Sequence, residues 1–161
     1  METRPRAVLL VVSTRGFADE SAAYAIERAA AGPAGLDVLL VCEPESGQLS
    51  ERLSERGWLG DKTTGQISHT LSKDRRTRGY RILSGIARDA EAEDVPVQTH
   101  VAEGEAEGEV RKFLRKHPVA EIVLSAPAPG FLERLFAKSR RDMARRLGEI
   151  PGITVKEFHY E

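Results

Sequence analysis

Side chains that could carry out covalent chemistry are few in this chain. Cys42 is the single cysteine, so neither an intrachain disulfide nor a cysteine metal cluster can form. The four histidines lack the close spacing of metal ligands, and no nucleophile stands beside a general base. The sequence therefore predicts no catalytic residue and no metal site, and we expect a protein that is not an enzyme. The histidines are His69, His100, His117 and His159.

Binding chemistry is better represented, because basic side chains gather in two clusters. The first cluster contains Lys73, Arg75, Arg76, Arg78 and Arg81, and the second contains Arg134, Lys138, Arg140, Arg141, Arg145 and Arg146. If both face one opening, they would attract a phosphorylated ligand, a polynucleotide or an acidic partner. Otherwise they are solvent-facing helix residues. No aromatic residues interleave with these charges, so specific nucleic-acid binding is not expected.

Length and composition indicate one globular domain over residues 1–161. Hydrophobic residues make up 40% of the chain, charged residues 30%, and the formal net charge is -1. No apolar run approaches the roughly 18–20 residues that span a bilayer. The apolar run near the start ends by Val12 without a small-residue cleavage pattern. We therefore expect a protein that does not bind membranes and that resides in the cytoplasm.

Hydrophobic patterning predicts alternating strands and helices. Strands are predicted at 7–12, 36–42, 95–101, 119–124 and 153–159, and helices at 19–30, 63–93, 105–116 and 139–147. Residues 43–62 are predicted to form a long polar connection. The resulting fold class is α/β: three α/β/α layers around a five-stranded, mainly parallel, Rossmann-like sheet.

Spacing within the predicted helix at 63–93 indicates one apolar face, because its apolar residues recur by threes and fours. These residues are Tyr80, Leu83, Ile86, Ala87 and Ala90.

Parallel sheets bind ligands beyond the carboxyl ends of their strands, where the strand order reverses. In this chain that rule selects three segments, 13–18, 41–43 and 125–139. We expect these segments to meet at one edge of the sheet and to form the candidate site.

Residues 97–126 resemble the second half of a universal stress protein domain. The resemblance rests on the turn at Glu103-Gly104, the helix that follows, and the strand Ala120-Glu121-Ile122-Val123-Leu124. The first turn and the helix around 21–26 are also similar to that family. Residues 43–75 match it only in length and character. The resemblance implies the fold described above and a homodimer, commonly formed through the last strand.

The resemblance also implies where an adenine nucleotide would bind. Nucleotide-binding members carry G-x2-G-x9-G-S/T after the fourth strand, where glycines let backbone N–H groups approach the phosphates. The glycine positions fall here on Ser125, Ala128 and Lys138, and the hydroxyl position falls on Ser139. Ser139 is then either a phosphate contact or a helix N-cap.

Further contacts follow from the same resemblance. Family members usually carry an aspartate at the end of the first strand, where this chain has Ser13-Thr14, and a backbone contact to adenine falls at Val41. Lys138 and Arg140 could reach a phosphate as point charges. Pro127 and Pro129 lack an N–H, which leaves the loop at 125–130 with fewer donors for an anion.

The main hypothesis is a non-catalytic regulatory protein of the universal stress type, with weak or absent ATP binding. One alternative is an ATP-binding universal stress protein with an altered phosphate loop. Another is a module that binds anions or a regulatory protein partner through its arginine-rich helices. No cofactor is required by the main hypothesis, and ATP is the candidate ligand of the first alternative.

Overall fold

Strands and helices alternate along the chain in a computed structural model that describes residues 6–14, 16–42, 61–127 and 138–160. Within these ranges the side chains of residues 61–73, 75, 126, 127 and 138–142 are not described. Of the predicted connection at 43–62, residues 43–60 lie outside the described part, and residues 61 and 62 already belong to a helix.

The described elements follow the predicted β-α-β-α order. The strands are β1 (Ala7–Ser13), β2 (Leu36–Cys42), β3 (Val97–Glu103), β4 (Val119–Pro127) and β5 (Thr154–Tyr160). The helices are α1 (Asp19–Ala31), α2 (Asp61–Ala92), α3 (Ala106–Lys116) and α4 (Lys138–Gly148).

All five strands form one parallel sheet in the order β3-β2-β1-β4-β5. Helices α1 and α2 cover one face, with Ile26 and Ile86 buried against Leu10. Helices α3 and α4 cover the other, with Val110 and Leu147 in the core. Because β1 and β2 are covered on both faces, they consist almost entirely of apolar residues. The predicted fold class is confirmed.

Several strand boundaries differ from the prediction by one to three residues, and two of these differences have a clear physical reason. β3 begins at Val97 rather than 95, because the Val95 N–H donates to the Ala90 carbonyl (2.9 Å) and so closes the end of α2. β4 continues to Pro127 rather than ending at 124, because its last residues pair with β5 as far as Tyr160. Residues 125–127 of the predicted loop at 125–130 are therefore strand, and residues 128–130 lie outside the described part.

The buried stripe of α2 agrees with the prediction at Leu83, Ile86 and Ala90 but not at Tyr80. Tyr80 is 54% exposed, whereas Gly79 is buried against β2. A Cβ added at Gly79 would lie 2.5 Å from Leu40 Cδ2 and 3.3 Å from Thr14 Cγ2. The absent side chain thus lets α2 lie close to the sheet, and the tyrosine one residue later points away from it.

Adding a methyl group at Gly79 and at Gly85, both on α2, should have opposite effects on stability. Gly79→Ala should lower the free energy of unfolding by about 1–2 kcal/mol, because Leu40 is fully buried and cannot move aside easily. Gly85→Ala should raise it by about 0.5–1 kcal/mol, since a Cβ there meets nothing within 4 Å. Urea denaturation of both variants measures the difference. Equal effects would contradict the close approach of α2 to β2.

Candidate functional site

The three predicted segments converge at the carboxyl edge of the sheet, as far as the structure describes them. Ser13 is paired with Val41 on β2, and Val11 is paired with Leu124, next to Ser125, on β4. The strand order reverses between β1 and β4, because the chain moves outward from β1 through β2 to β3 and then returns to β4. The ends of β1 and β4 therefore define the crevice that binds ligands in folds of this kind.

Ser125 joins the end of β4 to the start of α1. The Ala18 N–H donates to Ser125 Oγ (2.9 Å), and Ser21 Oγ lies 2.8 Å from the same atom. Ser21 Oγ donates its own proton to the Ala18 carbonyl (2.6 Å), so the Ser125 hydroxyl must donate to Ser21. Each of these hydroxyls donates one hydrogen bond and accepts one, across a sequence separation of 107 residues between Ala18 and Ser125.

This network occupies a donor that an anion would otherwise use. The first N–H groups of a helix have no partner within the helix, which makes a helix N-terminus a common phosphate site. Ala18 is the N-cap of α1 and has no side-chain cap, and its N–H is taken by Ser125 instead. Asp19 and Glu20 add two exposed carboxylates to the first turn. Those negative charges interact favourably with the helix dipole but repel an incoming anion.

Thr14 and Val41 are enclosed by protein. Thr14 is 1% exposed, and its methyl group faces Gly79 of α2. Val41 is also 1% exposed, and its carbonyl accepts a long hydrogen bond from the Thr14 N–H (3.4 Å). Ser13 is half-buried and is the more accessible of the pair at the end of β1.

The remaining predicted contacts are only partly placed. Lys138 is the first residue of α4, so Ser139 and Arg140 lie in the first turn of that helix, with their side chains outside the described part. Ser139 is consequently not the N-cap residue that one interpretation predicted, because the helix begins one residue earlier. Ala128 lies outside the described residues.

Only part of each basic cluster can be followed. Arg76 forms an ion pair with Glu103 at the end of β3, and Arg146 pairs with Glu107 at 2.7 Å. Arg78 and Arg81 are exposed on α2. The described members of the two clusters therefore lie on helices that cover opposite faces of the sheet, α2 and α4, rather than at one opening.

Cys42 ends β2 at the same edge of the sheet and is half-buried. Burial raises the pKa of its thiol, with a further contribution from Glu103, while Arg76 acts in the opposite direction. A raised pKa keeps the thiol protonated at neutral pH and makes it a poor nucleophile.

Sequence reasoning missed a buried carboxylate on β4. Glu121 is 6% exposed and accepts hydrogen bonds from Tyr24 Oη (2.6 Å) and Arg28 Nε (2.9 Å), both on α1. The hydrogen bond to Glu121 raises the pKa of Tyr24 and that of Arg28. This network joins α1 to β4 below the crevice. An acidic residue inside an otherwise apolar strand was the available signal.

A second buried carboxylate lies on the opposite face of the sheet. Asp37 Oδ1 is 3.0 Å from His100 Nε2, and the His100 ring packs edge-on against Phe113. Phe113 in turn stacks on His117, with ring centroids 4.1 Å apart.

Across the described ranges, no three His, Cys, Asp or Glu residues are grouped so that they could hold a metal ion. None of the described helices is both long and apolar enough to cross a membrane.

Comparison with known proteins supports the fold at the level of structure. The universal stress protein UspA from Lactobacillus plantarum superimposes on this chain with a TM-score of 0.63, covering 97% of this chain and 99% of that one at 12% sequence identity. No protein-family model matches the sequence. No curated protein matches it either. The chain therefore has a universal-stress-protein-like fold, of the α/β Rossmann-like class.

The Ser125 network predicts a large effect of removing one hydroxyl. Ser125→Ala should lower the free energy of unfolding by about 1–3 kcal/mol, because it leaves the Ala18 N–H without its acceptor. At this chain length that corresponds to a fall in Tm of roughly 2–4 °C per kcal/mol. The control is Ser84→Ala, at an exposed position of α2, which should change stability by less than about 0.5 kcal/mol. Equal melting of the two variants would show that the network contributes nothing.

Proposed function

We propose that this chain is a non-catalytic regulatory protein of the universal stress type, acting in the cytoplasm, whose ATP binding is weak or absent. Its signal would then be transmitted by contact with other proteins rather than by turnover of a substrate. The proposal starts from the fold, which is shared with a universal stress protein, and from the particular residues at the crevice.

The observation that carries the proposal is the closure of the crevice by Ser125. A glycine at this position would have no side chain, and the N–H of Ala18 would face the crevice. Here the Ser125 hydroxyl takes that donor and is itself bound to Ser21. Displacing the hydroxyl with a phosphate oxygen would break two protein hydrogen bonds, so binding would gain little.

Two further features also disfavour nucleotide binding. Thr14 is covered by α2, so its hydroxyl would have to be uncovered before it could contact a ligand. The carboxylates of Asp19 and Glu20 lie in the first turn of α1, beside the bound donor. A nucleotide triphosphate would therefore meet like charge at the start of α1.

Binding of MgATP is the direct test of this proposal. Thermal shift and isothermal calorimetry with ATP, ADP, AMP and cyclic nucleotides, with and without magnesium, should show no more than about 2 °C of stabilisation at 1 mM ligand. That limit corresponds to a dissociation constant of about 1 mM or weaker. A dissociation constant below about 0.1 mM, weakened by Ser139→Ala, would contradict the proposal and favour an ATP-binding protein with an altered phosphate loop.

We also propose a homodimer formed along β5. Among the described strands β5 is an edge of the sheet, since it pairs only with β4 there. The side chains of Lys156 and His159 are exposed, and Glu157 Oε1 lies 3.3 Å from His159 Nε2. Pairing of two such edges about a twofold axis would join two sheets into one while leaving these charged side chains in solvent.

Light scattering coupled to size-exclusion chromatography tests the dimer. The mass is measured over a hundredfold range of protein concentration. At the high end it should be near twice the 17.7 kDa of one chain, and it should fall toward the mass of one chain only on dilution. A mass of one chain throughout would remove the dimer from the account.

A further inference from the structure

An open groove separates α1 and α2 on the face of the molecule away from the sheet. Its volume is about 870 Å³. The floor is apolar, with Ala22 and Ile26 on α1 and Ile82 and Ile86 on α2. Small residues keep it open, since Gly85 has no side chain and a Cβ there would meet nothing within 4 Å. One end of the groove, lined by Phe17 and Asp19, reaches the carboxyl edge of the sheet, and the rest runs along α1 and α2 away from that edge.

Spacing along each helix accounts for the shape of the groove. On α1 its lining runs from Asp19 to Ala30, and on α2 from Arg78 to Ala92, in steps of three and four residues, with Glu93 directly after the helix. At 1.5 Å per residue these stretches are about 17 Å and 22 Å long, which is the length of three to four helical turns. A groove of this length, open on one side, suits a rod-like occupant.

The rim of the groove is polarised. Arg78 and Arg81 lie near the carboxyl edge of the sheet, because the neighbouring Gly79 contacts the ends of β1 and β2. Glu27, Asp89 and Glu93 lie near the opposite edge, where α2 ends and β3 begins. No ion pair joins Arg78 or Arg81 to another residue within the described ranges. Asp19 lies at the same end as the two arginines, so that end carries two positive charges and one negative charge, and the other end, about 17 Å away along the helices, carries three negative charges.

We propose that this groove binds an amphipathic helical segment of a partner protein. The segment would carry acidic side chains at the end that lies over Arg78 and Arg81, an apolar stripe along its middle, and basic side chains over Glu27, Asp89 and Glu93. The proposal goes beyond the function proposed above and does not depend on whether a nucleotide binds.

Physical reasons favour a helix over other occupants. The walls of the groove are helices whose backbone groups are already paired, so they offer nothing to the backbone of an extended peptide. A helix satisfies its own backbone and brings only side chains to the groove. A small amphiphile with a single charge would complement one end of the rim and leave the other unmatched.

Gly85 provides a variant that fills the groove from within. Gly85→Leu places a side chain in the open space, and leucine is a better helix former than glycine, so the fold should not be weakened. Gly108→Leu is the matched control, because Gly108 is also a helical glycine with no atom within 4 Å of an added Cβ and lies on α3, across the sheet. Thermal melting of both variants verifies that they are folded.

The probe is a phage-displayed library of amphipathic helical 14-residue peptides with a fixed apolar stripe and randomised polar positions, selected on the full chain. Selected peptides should carry acidic residues at one end and basic residues at the other. Their affinity should fall by about tenfold or more on Gly85→Leu and by less than about twofold on Gly108→Leu. The double variant Arg78→Glu, Arg81→Glu should also weaken them.

Three outcomes would overturn the proposal. One is a library that yields no enriched peptides, and another is a set of peptides that bind the Gly85→Leu variant as well as the original chain. The third is a Gly85→Leu variant that turns a dimer into a monomer in light scattering, because the groove would then belong to a second copy of this chain.

Discussion

Pairing between β1 and β4 is the contact on which the remaining arrangement depends. It brings together segments separated by more than 100 residues and makes the strand order reverse at this point. The reversal places α1 and α2 on one face and α3 and α4 on the other, so both faces of the central strands are buried. It also sets the ends of β1 and β4 side by side. Whatever chemistry the fold supports at its carboxyl edge is decided by the side chains at these two ends.

At these ends the chain uses polar groups for structure. One hydrogen-bond network joins Ser125 to Ser21 and the Ala18 backbone. A second, further from the carboxyl edge, joins Glu121 to Tyr24 and Arg28. Both networks join α1 to β4, the strand that pairs with β1. Because Glu121 is buried, removing both of its donors would leave a buried carboxylate unpaired. The crevice that a nucleotide would need is thus the place where α1 is held to the sheet, and the groove between α1 and α2 is the more open surface.

Sequence patterns predicted the fold well and the polar contacts poorly. The continuous apolar runs of β1 and β2 were sufficient to place two buried strands and, with the intervening helices, a parallel sheet. The prediction that Tyr80 is buried on α2 was wrong. The spacing of apolar residues does not reveal that a glycine, here Gly79, makes the close contact with the sheet. The roles of Ser125 and Glu121 depend on partners about 100 residues away, which local spacing does not reveal. β4 continues further than predicted, as far as Pro127, because its last residues pair with β5, which the local pattern does not reveal.

The central claim is that the donor at the start of α1 is already occupied by Ser125. Amide chemical shifts of an isotope-labelled chain, recorded by NMR while MgATP is added, test this claim most directly. The account predicts that the Ala18, Ser21 and Ser125 amide resonances stay in place up to several millimolar ATP, apart from small shifts that NaCl at matched ionic strength reproduces. Saturable shifts confined to Ala18, Ser125 and the residues around them would show that a phosphate displaces the hydroxyl, and would contradict the account.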